Sequence, residues 1–532
     1  MMSISSLLLT LTPIAVIIWM LVIWKKPADI SGIVGWIAVS VIAFLFFQTS
    51  IEVIIKSTLA GWVKSFSVSL VVATSLLQMA YMEKTGALKR VIILIKTIAS
   101  DNKAVQIMLI NIGFGTLMVS VGATPVSLLP PIMLALGYST YVSIALPCIG
   151  YDALCTYALL GAPVVVFVDM ANSFLGKGHE ISLSQAGSVF FMFLPVISTL
   201  IGFCMLWIVG GWKGIKDGWF PCIITGAVIT LVSYYTNKVD RLVVLTGIMC
   251  GAAVIITMVL YLVATGKKVI DKSKLTDEEL EYEKKYSIWK ALAPWGLLIV
   301  LILALNIPTD MFNFLYRKVT LPITGLSADG KPIMTRALWN AYTWIFISTF
   351  LSMVFIKPTS SQLKETLRLW RKRAPRPVFA VAIFFSIGEI MNMSGYNIAA
   401  KKFAVASMVQ ILADFSSQIF SNAYGSVVAF IGLLGGFITG SEASTIAMFS
   451  IYTMKTATLL HMGLQGMLIV TAGVAFGGGL ASVISPAKLQ NAAAAIDKMG
   501  EETKVIRIAF VFSLLLTAVT AALVMILLKI YA

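Results

Sequence analysis

The sequence predicts an all-α polytopic membrane protein with about 12–14 transmembrane or re-entrant helices. Three observations carry that prediction. The 532 residues are 59% hydrophobic and only 12% charged, against about 25% charged residues in soluble domains. The apolar runs are continuous over spanning lengths rather than alternating, which argues against a β-barrel. The run from Asn111 to Pro163 is broken by Gly122, Pro125, Pro130–Pro131, Pro147 and Pro163, and carries Ser120, Thr124, Asp152, Thr156 and Tyr157. Hydrocarbon cannot hydrogen-bond backbone freed at a helix break, so such breaks persist only inside protein or beside an aqueous cavity. Discontinuous helices with polar residues at the breaks point to a transporter's substrate site.

In order, apolar spans read as 5–24, 31–48 and 61–82, followed by a short basic amphipathic piece to Lys103 and then the broken run. Lys25 and Lys26 follow the first span with no small-residue cleavage site, so it reads as retained. Further spans fall near 184–211, 218–236, 241–264, 288–305 and 337–356, with a polar loop at 172–182 and a longer one at 306–335. Broken apolar material after 376 leads to a last span near 506–531. The divisions are 1–60 (N-terminal spans), 61–171 (first repeat), 172–375 (connecting spans), 376–494 (second repeat) and 495–532 (C-terminal span).

The net charge of +16 does not imply a nucleic-acid partner, because Lys and Arg cluster in short connectors, where they set topology. Placing Lys25–Lys26, Lys84–Lys103, Gly266–Tyr286 and Lys357–Arg376 in the cytoplasm puts both termini and 172–182 outside, and Asp497–Arg507 inside. The five cysteines lack paired metal spacing and the two histidines exclude a His-rich site, so no metal and no cofactor is expected.

Internal similarity appears at a near-constant offset. Gly395 of MNMSG lies 309 residues after Gly86 of MEKTG, Ser441 of GSEAST lies 321 after Ser120 of VSVGAT, and Pro486 lies 323 after Pro163. On the charge argument the span before Gly86 runs inward and the span before Gly395 runs outward. The two repeats are therefore expected to be inverted, an arrangement that gives alternating access around a midplane site.

Carboxylates in apolar spans are costly and mark function. Asp152, Glu442 and Glu389 are the candidates for proton coupling, against a structural capping role for Asp152 and a position near a mouth for Glu389. Ser441, Ser444 and Thr445 beside Glu442, with Ser120, Thr124, Thr156 and Tyr157 from the first repeat, form a hydroxyl set for substrate. Ser485 reads as an N-cap and Pro486 as the first helical residue, so free N–H groups and a positive helix end face the site. Lys488 and Gln490 follow in that helix; the alternative for Lys488 is snorkelling to the cytoplasmic interface.

TPVSLLPPIMLALGY followed by YDALCTYALLGAPV, then LGGFITGSEASTIAMF and ISPAKLQNAAAAI, with MEKTGALKR, resemble the signature regions of the L-lactate permease (lactate/glycolate permease) family over nearly the whole length. The resemblance implies a secondary transporter of 2-hydroxymonocarboxylates coupled to protons, in a bacterial or archaeal plasma membrane. It also implies re-entrant hairpins and elevator movement of a transport domain against a scaffold in a homodimer. The chain departs from the family pattern in having GTLMVSVGA before Thr124, without the family's Glu, and Tyr151-Asp152-Ala153-Leu154 where many members have Asn-Thr-Ala-Pro. The alternatives are a sodium-coupled symporter or exchanger of another small organic anion, an intramembrane enzyme, and a channel. No GxGD or HExxH motif supports the enzyme and no charge ring supports the channel.

Overall fold

The computed structural model describes residues 4–98, 102–273 and 275–531, the side chains at 151, 482, 486, 487, 502 and 503 excepted. Residues 99–101 and Lys274 of the expected basic connectors therefore lie outside the described residues. Eleven helices among those described are long and apolar enough to cross a membrane, accompanied by three shorter apolar helices, Pro125–Ala135, Ala341–Ile356 and Leu464–Leu480. The chain is an all-α multi-pass membrane protein. Its strands, among the described residues, are two short antiparallel hairpins, Leu321–Ile323 with Ile333–Thr335 and Tyr396–Asn397 with Lys402–Phe403. The first lies in the 306–335 stretch, where too few residues alternate for a strand to be read from the sequence.

Several boundaries differ from expectation. The span expected over 61–82 is two helices, Ile51–Lys64 and Phe66–Lys84, meeting at Ser65, whose helical backbone bends the chain without reversing it. The two spans expected over 184–236 follow Leu183–Phe191 as Leu194–Asn237, which folds back at Gly211 (φ 56°, ψ −140°). Cys222 Sγ then donates to the Thr199 carbonyl across the two arms at 3.5 Å. Pro130, Pro131 and Pro147 lie inside helices instead of ending them, whereas Pro163 stands in the first turn of the helix that resumes after a break at Leu159–Gly161. Each interior proline removes one backbone donor, yet its φ is helical, so the helix continues where neighbouring turns cover the freed carbonyls.

The real breaks are where the backbone turns left-handed. The helical stretch from Lys103 to Ser120 ends at Gly122 (φ 90°), and Pro125–Ala135 begins after extended Thr124. Tyr424–Thr439 ends at Gly440 (φ 67°), and Glu442–Leu459 begins after extended Ser441. The helix pair Tyr424–Thr439 and Leu464–Leu480 packs backbone to backbone. A Cβ on Gly436 would meet the Gly478 carbonyl and one on Gly477 the Ala429 carbonyl, the close approach that small residues allow between helices in lipid.

The basic connectors gather on one face, and part of their charge is neutralised there by the chain's own carboxylates. Arg376 pairs with Asp29 (3.3 Å), Arg373 with Glu83 (2.7 Å), Lys89 with Glu278 (2.6 Å), Arg90 with Glu283 (3.3 Å) and Lys96 with Glu279 (2.5 Å). A second group of pairs ties the 306–340 region to other elements, Arg336 with Asp169 (2.9 Å) and Arg317 with Asp240 (3.2 Å).

Candidate functional site

Two broken segments meet to form the site. The first is the 3-10 turn Tyr151–Tyr157, followed by three consecutive left-handed residues, Leu159 (φ 53°), Leu160 (φ 56°) and Gly161 (φ 73°). Left-handed backbone costs a non-glycine residue about 1–2 kcal/mol, so two successive leucines there are held by their surroundings. The second is the Gly440–Ser441 turn with the start of Glu442–Leu459.

Glu442 joins them. Its Oε1 accepts a 2.8 Å hydrogen bond from Thr156 Oγ1, and the Cys155 thiol lies against the same carboxyl group. Gly479 forms its floor: a Cβ there would stand 2.8 Å from Glu442 Oε2 and 3.6 Å from Cys155 Cβ. Glu442 Oε2, Asp152 Oδ1 and Ser444 Oγ are buried with no hydrogen-bond partner among the described residues. The charged groups acting on Asp152 are Lys488 and Glu442, so two carboxyl groups and one ammonium share this region. Buried polar atoms are normally partnered, and three unpartnered oxygens on the two segments suit a ligand.

The helix Pro486–Ala494 supplies the third side. Ser485 is its N-cap in extended conformation, with Pro486 at the first position and no capping bond from the serine side chain. The helix rests on Pro125–Ala135 and Thr140–Gly150, and a Cβ on Gly440 would lie 3.3 Å from Ser485 Oγ, so the turn and the helix start adjoin. Thr124 repeats the pattern before Pro125: extended, half-buried and without a capping bond.

The structure thus brings together Asp152, Thr156, Ser441, Glu442, Ser444, Ser485 and Lys488. Ser441 caps its own helix, accepting from the Ser444 amide at 3.4 Å, and Thr445 Oγ1 donates to the Ser441 carbonyl at 2.9 Å, so Thr445 is spent within the turn. Other expected residues have partners elsewhere. Ser120 Oγ donates to the Thr116 carbonyl at 2.7 Å and packs where Gly247 leaves room. Tyr157 donates to Asn237 Oδ1 at 2.8 Å. Glu389 is paired with Lys64 at 2.8 Å, and Gln490 is exposed.

Cys155, Gly479 and the left-handed run are site features that sequence reasoning missed. The Gly477–Gly479 triplet was the readable signal for Gly479, since three consecutive glycines at a helix end invite close approach. Nothing announces left-handed Leu159 and Leu160.

The chain is 21% identical over 508 residues to an L-lactate permease of Escherichia coli (strain K12), covering 90% of this chain and 88% of that one. It is 22% identical to an L-lactate permease of Bacillus subtilis (strain 168), covering 96% and 94%. It is 23% identical to the glycolate permease GlcA of Escherichia coli (strain K12), covering 79% and 77%. The family model for L-lactate permease matches residues 6–531, and with nearly the whole chain matched, this protein belongs to the L-lactate permease family and is a membrane permease, not an enzyme.

Proposed function

We propose that the protein is a secondary active transporter that carries small 2-hydroxymonocarboxylates, such as L-lactate or glycolate, across the plasma membrane together with protons. The observation that carries this reading is the buried meeting of Thr156 with Glu442, beside Asp152 Oδ1 and Glu442 Oε2, which lack donors among the described residues. The substrate carboxylate is expected at the Pro486–Ala494 helix start, where the positive end of the helix and Lys488 supply positive potential. Its hydroxyl is expected at Ser441 and Ser444, and the proton on Asp152 or Glu442.

Alternating access fits inverted repeats. Both halves contain a long helix ending at a left-handed glycine (Gly86, φ 80°; Gly395, φ 79°), a later break at a left-handed glycine (Gly122; Gly440), an extended N-cap, and a 3-10 segment (Tyr151–Tyr157; Ala481–Ile484). The Arg373–Glu83 bridge sets the end of Phe66–Lys84 beside the start of Pro375–Met393, which supports opposite directions for these corresponding helices. With the basic face cytoplasmic, both termini lie outside.

Proteoliposomes with imposed gradients test the reading. Counterflow of labelled L-lactate or glycolate, and uptake driven by a pH gradient, are the expected results. Uptake that follows a sodium gradient and ignores pH would replace the proton by sodium at the same oxygens, and no counterflow with any 2-hydroxy acid would remove the substrate assignment. Cysteines placed in 172–182 and 494–507 should label from opposite sides; labelling from one side would remove the inversion.

A further inference from the structure

Of the basic-connector cations that form no ion pair among the described residues, four lie together on one helix. The helix Ser360–Arg373, SSQLKETLRLWRKR, has six charged residues in fourteen, opens with a Thr359–Gln362 capping box, and links Ala341–Ile356 to Pro375–Met393. So charged a helix is too costly to bury in hydrocarbon. Its connection to a membrane helix at each end therefore holds it at the polar boundary. One side is fixed to the protein: Thr366 is buried, Trp370 Nε1 donates to the Ala73 carbonyl at 2.9 Å, Glu365 pairs with Lys84 (3.8 Å) and Arg373 with Glu83 (2.7 Å). The other side carries Lys364, Arg368, Arg371 and Lys372, all exposed and none in an ion pair among the described residues. Their spacing of four, seven and eight residues from Lys364 places them in one stripe. Leu367, 46% exposed, sits within that stripe.

We propose that this stripe binds the phosphate headgroups of anionic phospholipids, with Leu367 inserted at the acyl boundary. Four uncompensated cations and an exposed leucine on a helix at the polar boundary match the makeup of interfacial helices that attract anionic lipid. A free phosphate would share the charge but gain nothing from Leu367 or from the helix's place at the bilayer surface, so the lipid is the occupant assigned.

Native mass spectrometry of the purified full-length protein, titrated with phosphatidylglycerol or phosphatidylcholine, reads the binding directly. The wild type should retain phosphatidylglycerol in preference to phosphatidylcholine, and millimolar inorganic phosphate should not displace it. The variants K364Q/R368Q and R371Q/K372Q should each weaken phosphatidylglycerol binding by about tenfold or more. A control, K267Q/K268Q, removes the same charge from another connector and should leave binding intact. Four outcomes would overturn the proposal: equal retention of the two lipids by the wild type, unchanged binding in both stripe variants, equal loss in the control, or displacement by inorganic phosphate alone. The substituted side chains are all exposed, and a matched elution profile by size exclusion confirms folding.

Discussion

Thr156 Oγ1 donates to Glu442 Oε1 at 2.8 Å, joining residues 286 apart in the chain. This bond closes the site, because it ties the 3-10 turn of one half to the Gly440–Ser441 turn of the other. Thr156→Val keeps the shape and removes the donor, leaving Glu442 with both oxygens short of hydroxyl partners. A hydrogen bond to a charged group is worth about 1.5–3 kcal/mol, so gradient-driven uptake should fall by roughly 10- to 150-fold, with Thr156→Ser retaining most of it. Wild-type uptake by Thr156→Val would take this bond out of the transport cycle.

Gly479 gives the Glu442 carboxyl its room. A methyl group at Gly479 would stand 2.8 Å from Oε2, and overpacking of this kind costs about 1–3 kcal/mol. The displaced atom here is the end of a side chain, so the expected outcome for Gly479→Ala is a folded protein with its carboxyl moved and its uptake strongly reduced. Thermal unfolding within a few degrees of the wild type, together with lost counterflow, is the expected pair of readings. Full counterflow would mean that Glu442 can shift without consequence.

Glu389 and Lys64 form a largely buried ion pair at 2.8 Å. Removing one partner of such a pair leaves an uncompensated charge and costs about 3–5 kcal/mol. Glu389→Gln should therefore lower the unfolding temperature clearly, and Lys64→Met/Glu389→Leu should recover most of the loss. Uptake per folded molecule should stay near that of the wild type. A loss of pH-driven uptake in the double variant, at normal stability, would restore Glu389 to the proton-coupling role.

Much of the site was legible because chemistry in an apolar sequence is conspicuous. Asp152, Thr156, Glu442, Ser485 and Lys488 stand out against their neighbours, and the structure gathers them. Ser120 and Tyr157 stand out equally, but side-chain direction decided their partners: Ser120 faces Gly247 and Tyr157 faces Asn237. Prolines misled, since Pro130, Pro131 and Pro147 are compatible with helical φ and sit inside helices. The left-handed leucines were invisible because leucine has no preference for that conformation; only the packing around them dictates it.

Glu279 and Lys96 pair at 2.5 Å on the basic face, outside the spans. Burial alone would raise the Glu279 carboxyl, but the Lys96 ammonium and the Thr276 backbone outweigh it and hold the group below the ordinary glutamate range. A depressed carboxylate contributes stability above its unfolded value, about 4.3, and loses it as pH falls through the folded value. Unfolding temperature should therefore drop more steeply below about pH 4.3 in the wild type than in Glu279→Gln. Parallel curves for the two proteins would show that the pair contributes nothing to the acid limb.

Lys488 lies in the first turn of Pro486–Ala494, and it acts on both Asp152 and Glu442. A 2-hydroxy acid presents a carboxylate with a neighbouring hydroxyl, so it needs positive potential and nearby polar partners at once. On the proposed reading the helix start supplies part of that potential through its positive end, and Lys488 supplies a full charge. Lys488→Met should weaken substrate binding by roughly 10- to 150-fold, the equivalent of about 1.5–3 kcal/mol. Ser441→Ala should cost about 0.5–1.5 kcal/mol, because a neutral hydroxyl is worth less. The competing assignment is a lysine that only balances the two carboxyl groups, in which case Lys488→Met would alter the pH dependence of uptake and leave affinity unchanged. Binding calorimetry on the purified protein, paired with uptake across pH, separates the two: equal affinities for the variant and the wild type would move Lys488 out of the substrate's contact shell.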